Sequence, residues 1–378
     1  MAFDILIQGG TVCSGELTPA RRADVAIQGD TIAAVGRIEG DARLVIDATD
    51  RVVAPGFIDI HSHSDYTLLV DPRAMSAIHQ GVTLEVVGNC GFGCAPVGKR
   101  SPREGIYGFD GSVPLEWTGM DGYFATLEAR RPAVNVMSLV PNGQLRRAVV
   151  HDLEAPASAE ERKEMAVLLD RCLEEGGVGY STGLEYPVER AAPEAEIGAL
   201  AGHAARRGGF YATHTRARGV GALPAIDEAI RTARAARARL QISHIIPRRT
   251  EGGEIDESLA RVAQARAQDV DATFDMHTRA FGTTMLNTLL PPWVTQGSRE
   301  ERDYLLADPA ARARMRDYAS IIASVGDWSR VILLDMPTWP EYGRLSLAEV
   351  GERRKQDPLD AAFELLRREP ADGLPFMV

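Results

Sequence analysis

The chain of 378 residues carries 42 Lys+Arg against 53 Asp+Glu, a formal charge of -11, which argues against nucleic acid or an anionic membrane surface as its partner. With 45% hydrophobic and 25% charged residues, 36 Gly and 21 Pro, its composition is globular, and its length suits one barrel-sized domain beside a minor one. Eighteen apolar residues never run together, MAFDILIQGG lacks the basic region of a secretory signal, and cysteines 13, 90, 94 and 172 show no regular pairing, so a reduced, cytoplasmic protein is predicted.

Residues 1–54 read as a small β domain: FDILIQGGTV, ADVAIQGDTIAAVG and RLVIDATDRVVAP are short strands punctuated by Gly-Gly and Gly-Asp turns. After Pro55-Gly56 apolar runs alternate with amphipathic helical stretches, which predicts βα units around a parallel sheet over 55–378. Strands are expected at 56–60, 83–87, 134–140, 178–181, 210–213, 240–243 and 271–274. Between them Ser158-Ala-Glu-Glu161 forms a capping box for a helix closed by Gly176-Gly177, and Pro193 starts another that stops at Gly208-Gly209. Residues 280–370 break this rhythm and read as an insertion. It holds LLPPWV, a charged helix near 298–320, a strand-like VILLD and a helix near 358–369.

The strongest chemical signal is Pro55-Gly-Phe-Ile-Asp-Ile-His61-Ser-His63-Ser-Asp65, an apolar strand ending in His-x-His. Alternation puts both imidazoles on one side of the chain, and the carboxyl ends of barrel strands are where active sites are built. The pair alone is also what a polar loop offers, but His214 ends FYATH, His244 ends LQISH, and Cys90 follows VTLEVVGN, each at a strand end. Cys90 read by itself is equally a small buried hydrophobe. Cys94 has no second cysteine pair with which to build a structural zinc site, and Cys13 and Cys172 read as structural. His277 follows the seventh strand and faces the same end, whereas His79, His151 and His203 lie away from strand ends. Without a phosphate cradle or a serine triad, the chemistry these residues support is hydrolysis by water that Zn²⁺ activates while polarising the scissile carbonyl.

These motifs resemble the amidohydrolase superfamily, and within it the N-acyl-D-amino-acid deacylase (D-aminoacylase) family. The resemblance rests on APGFIDIHSHSD, VTLEVVGNCGFGCAP, LVPNGQLR, GYSTGLEYPV, YATHTR, QISHI, FDMHTRAFGTT with LLPPW, and SLAEVGERRKQDPLDAAFELL. It implies an α/β fold, a (β/α)8 TIM-type barrel with a small N-terminal β-sandwich. Zinc would be held tightly by Cys90, His214 and His244, with His61 and His63 matching the pair for a second, weaker ion. No lysine stands after the fourth strand, the three lysines being at 99, 163 and 355, so a bridging Cys90 replaces a carboxylated lysine.

The implied reaction hydrolyses N-acyl-D-amino acids to a carboxylic acid and a D-amino acid. Tyr186 would lie near the small-molecule substrate, and Arg216, His277 and Arg279 would supply donors to its carboxylate. His277 stands where relatives often have Tyr, and Arg218 where an acidic residue is common. Relatives also place a catalytic Asp after an eighth strand, and only seven are legible before Val378. The internal candidate is Asp335, and the resemblance therefore predicts weak turnover by residues 1–378 alone. A dipeptidase, a xenobiotic amide hydrolase and an inactive metal-binding barrel are the alternative readings, and the sequence leaves the oligomeric state open.

Overall fold

The computed structural model describes residues 2–16, 18–98, 105–217, 221–246, 254–277, 281–295, 299–318, 327–334, 336, 338–368 and 375–377. The chain divides into one unit of Met1–Ile58 with Ser76–Leu84 and another of Asp59–Met75 with Glu85–Val378.

In the first unit β1 (Phe3–Val12), β2 (Arg21–Gln28), β3 (Thr31–Gly36) and β4 (Ala42–Asp47) pair in the order β3-β2-β1-β4, with β5 (Val52–Val53) also on β1. β1 and β2 are antiparallel, as are β2 and β3, and Gln28 faces Thr31 across a two-residue Gly29-Asp30 turn. Gly29 has φ +61°, the left-handed conformation such a hairpin turn requires. Asp24 locks the fold by accepting the Gly9 and Ile38 N–H groups at 2.8 and 3.1 Å. The described strands of this unit form one five-stranded sheet, with Leu44, Val45 and Ile46 of β4 exposed.

The remaining strands include all seven expected positions: β6 (Phe57–Asp59), β7 (Val82–Val87), β8 (Asn135–Ser138) with β9 (Val140–Pro141), β10 (Gly179–Gly183), β11 (Phe210–His214), β12 (Arg239–Ile242) and β13 (Ala272–Phe274). One expected strand, 134–140, is divided at Leu139. Its N–H crosses to Val87 at 2.9 Å while Ser138 accepts from Val178 at 3.0 Å, so this segment belongs to two sheets. These run β6-β7-β8 and β13-β12-β11-β10-β9.

From β9 to β13 every pairing is parallel, and its register puts Gly183 beside His214, Thr213 beside Ile242 and Ile242 beside Phe274. The strands therefore end in step, and the residues that follow them emerge on one rim. Between the strands the Ser158 box caps Ala159–Glu174 as expected, and Glu194–Arg206 follows Pro193. A fully buried Arg146–Glu196 ion pair joins the helix Asn142–Val149 to Glu194–Arg206, and Arg146 also donates to the Val188 and Ala155 carbonyls.

The segment from Leu286 to Leu366 buries a cluster of its own, built on Leu286, Val294, Leu306, Val331, Leu347 and Phe363. Beside it β14 (Thr283–Met285), β15 (Ile332–Leu333) and β16 (Pro375–Met377) form a sheet in the order β14-β16-β15. The charged helix expected near 298–320 is two helices, Arg299–Ala307 and Pro309–Arg316. Pro309 cannot donate within a helix, so the chain restarts there with Asp308 as cap, its carboxylate accepting from Ala311 N–H at 2.9 Å.

Candidate metal centre

Cys90 sits in a turn forced by sterics. Gly88, Cys90 and Gly91 have φ of +76°, +55° and +74°. A side chain at Gly91 would overlap the Glu189 carboxylate, and one at Gly183 would strike the Cys90 carbonyl. A non-glycine residue held in this region is uncommon, and His244 is another, at φ +61°.

Cys90 Sγ lies 3.2 Å from His61 Nε2 and 3.3 Å from His244 Nε2. These three ligand atoms are all within 4.8 Å of one another. Burial opposes charge on Cys90, yet His61, His244 and His214 around it pull its thiol well below the ordinary value. Burial likewise opposes a proton on His61, but Cys90 and Asp275 outweigh it and raise the imidazole, whereas burial takes His244 down to about 4.

The resemblance implies His214 beside Cys90 and His244; the structure gathers His61 with those two, and His214 also faces the Cys90 thiol and helps to lower its pKa. His214 is fully buried, its ring centroid 5.1 Å from that of His244, and its Nε2 contacts Glu185 Oε2 at 2.8 Å. The His63 ring is 5.4 Å from His61. Nδ1 of His63 and Nδ1 of His214 are both buried without a hydrogen-bond partner. Orphaned imidazole nitrogens around a thiol with a depressed pKa are donors of the soft and borderline kind that Zn²⁺ takes, and the residues fit that ion.

Carboxylates that the sequence reading passed over hold this assembly. Glu85 of β7 accepts from Ser62 Oγ at 3.1 Å and from Ser64, the two serines of the His-Ser-His-Ser run. Asp275, directly after β13, contacts His61 Nδ1 at 3.2 Å. Phe92 and Tyr107, which the sequence did not single out, join the expected Tyr186 in an aromatic wall beside the ligands. Tyr186 lies 4.6 Å from the His214 ring and 4.6 Å from Phe92, and Tyr107 lies 4.9 Å from Phe92 and 4.7 Å from His63. His277 is farther out, 6.4 Å from His244.

Arg216 is employed elsewhere. Its guanidinium donates to Glu228 at 2.7 to 3.2 Å and to the Arg190 and Ala192 carbonyls at 2.8 Å each, ties that use four of its five N–H groups. Gly179-Tyr-Ser181-Thr-Gly183 has the spacing of a nucleophile elbow, but Ser181 is buried within β10 and donates to the Gly88 carbonyl. Cys94 and Cys172 are buried free thiols, and Cys13 is a partly exposed one. His203 binds Asp170 at 3.0 Å, and His79 is exposed. Arg218, Arg279 and Asp335 lie outside the described residues.

Behind the Cys90 turn Glu189 is wholly buried, accepting from Asn142 Nδ2 at 2.8 Å, and burial raises its pKa from 4.5 to about 7. The folded state thus binds this proton more tightly than the unfolded one. The stability it supports is complete below about pH 4.5 and lost as pH rises through about 7. A gap of that size is worth about 3 kcal/mol. Glu189→Gln retains the acceptor for Asn142, so urea unfolding of metal-free protein is expected to show the variant gaining on the wild type between pH 5 and 8.5. An unchanged difference across that range would refute the assignment.

The amidohydrolase family profile matches residues 44–350, more than half of the chain. An N-acyl-D-glutamate deacylase of Alcaligenes xylosoxydans xylosoxydans is 38% identical over 290 residues, covering 75% of this chain and 58% of the relative. The chain thus spans less than two thirds of that relative's length. Among solved structures, a D-aminoacylase described as defining a novel subset of amidohydrolases aligns with a TM-score of 0.82 and 31% identity, over 99% of this chain and 71% of that one. An N-acyl-D-glutamate deacylase from Bordetella bronchiseptica, complexed with zinc and a phosphonate mimic of the tetrahedral intermediate, aligns at 0.80 and 29%, over 100% and 71%. The chain belongs to the amidohydrolase family, and its α/β architecture is of that type.

Proposed function

We propose that this chain carries the metal site of an N-acyl-D-amino-acid deacylase, which hydrolyses the amide bond to release a carboxylic acid and a D-amino acid. The observation that carries the reading is the placement of Cys90 Sγ between His61 Nε2 and His244 Nε2. The D-aminoacylase and N-acyl-D-glutamate deacylase relatives, the latter bound to zinc and a phosphonate mimic, support it.

Cys90, His214 and His244 would hold one zinc ion, with His61 and His63 completing the site or serving a second. When bound, the ion supplies Lewis acidity that polarises the amide carbonyl and makes water nucleophilic near neutral pH. The chain's own residues do the rest. Tyr186, Phe92 and Tyr107 exclude water on one side and orient the acyl amino acid, and His277 offers a hydrogen bond at the outer edge. Small-molecule substrates, a cytoplasmic location that keeps Cys90 reduced, and domains of 1–54 and 55–378 with an insertion at 280–370 complete the proposal.

The test is a panel of N-acyl-D-amino acids and their L enantiomers, assayed with added Zn²⁺ alongside metal analysis. Zinc uptake with hydrolysis of the D series supports the reading. Zinc uptake with hydrolysis only of dipeptides or other amides would transfer the chain to a different amidohydrolase activity.

A further inference from the structure

The Asp275 carboxylate contacts both histidines that flank Cys90. Its Oδ2 lies 3.2 Å from His61 Nδ1 and accepts from Gln241 Nε2 at 3.0 Å, and its Oδ1 accepts the His244 backbone N–H at 3.0 Å. Its main chain is tied just as closely, Asp275 N–H to the Ile242 carbonyl and its own carbonyl to Ile245 N–H, both at 3.0 Å. His244 lies in the left-handed region, and the Oδ1 bond holds its N–H there. A single carboxylate thus governs the two imidazoles that flank Cys90, one through its ring and the other through its backbone.

We propose that Asp275 is a positioning residue for the metal centre, keeping a proton on His61 Nδ1 so that Nε2 is the nitrogen presented beside Cys90. An imidazole bound to a carboxylate through one nitrogen is oriented and more basic at the other, and loss of such a partner costs 10–100-fold in metal affinity. The inference rests on the metal reading given above. It adds an acid at the end of β13 whose action runs through His61 and needs no contact with substrate.

Asp275→Asn separates the two tasks. Its amide oxygen still accepts the His244 N–H, while its NH2 group faces His61 Nδ1, favours the opposite tautomer and leaves a proton on Nε2 that the metal must displace. The Gln241 amide, which in the wild type donates to the Asp275 oxygen facing His61, turns over to accept from that NH2 group. Zinc affinity, measured by chelator competition, is expected to fall 10–100-fold in Asp275→Asn and to change less than twofold when the same substitution is made in His61→Ala. Nitrogen-15 NMR of the zinc-loaded wild type gives a readout independent of any variant's folding, with His61 expected to carry its proton on Nδ1. Wild-type affinity in Asp275→Asn, an equal loss in both backgrounds, or a proton on Nε2 would overturn the inference. Unchanged zinc affinity in Cys90→Ala would overturn the metal reading itself, a distinct failure.

Discussion

Cys90→Ala is expected to empty the metal centre while leaving the fold intact. Sγ lies within 3.2 and 3.3 Å of His61 Nε2 and His244 Nε2, so its removal takes the thiolate donor out of the cluster. Zinc sites with four ligands release roughly 10–16 kcal/mol, about 3–4 per ligand, which converts to a loss of affinity of about 10²–10³-fold. Removing a small buried side chain from a turn dictated by Gly88 and Gly91 should change unfolding much less. The wild-type affinity should also weaken steadily as pH falls, because protons compete for the thiolate and the imidazoles. Full zinc content in Cys90→Ala, with loss only on His61→Ala, would show that the histidines alone hold the ion.

The second large effect is stereochemical. In the proposed function, an amide at the ligand cluster lies near the Tyr186–Phe92–Tyr107 wall and His277, and enantiomers differ in how they direct side chain and carboxylate toward such groups. Preference for N-acyl-D-amino acids of about a hundredfold in kcat/KM needs only roughly 2.7 kcal/mol of differential transition-state binding. Tyr186→Ala should erode that ratio, since the ring packs on both His214 and Phe92 and its loss opens the wall. Matched D and L rates in the wild type would leave the metal chemistry standing and remove the D-amino acid assignment.

Much of the site was legible because barrel geometry gives strand ends a meaning. His61, Cys90, His214 and His244 were readable as donors at the carboxyl ends of apolar runs, and the in-step register of β10 to β13 turns that sequence position into a shared rim. Local rules carried over equally well at the Ser158 capping box and the Gly29-Asp30 turn, where the residues that decide the conformation are within three positions of one another.

What the sequence could not reveal involves partners far apart in the chain. His61 and Asp275 are separated by 214 positions, and Ser64 and Glu85 by 21, so only the strand order brings those carboxylates to the histidine loop. Arg216 looked like a substrate donor because its motif puts it beside His214. Glu228, one helix later, and two backbone carbonyls take its guanidinium first. The candidate ligands were therefore legible in the sequence, since strand period and residue chemistry are local. Which of them meet at Cys90, which nitrogen each turns inward and which charges are consumed by the scaffold were decided by tertiary packing, because hydrogen bonds in a buried site depend on ångström-scale placement of groups from separate strands.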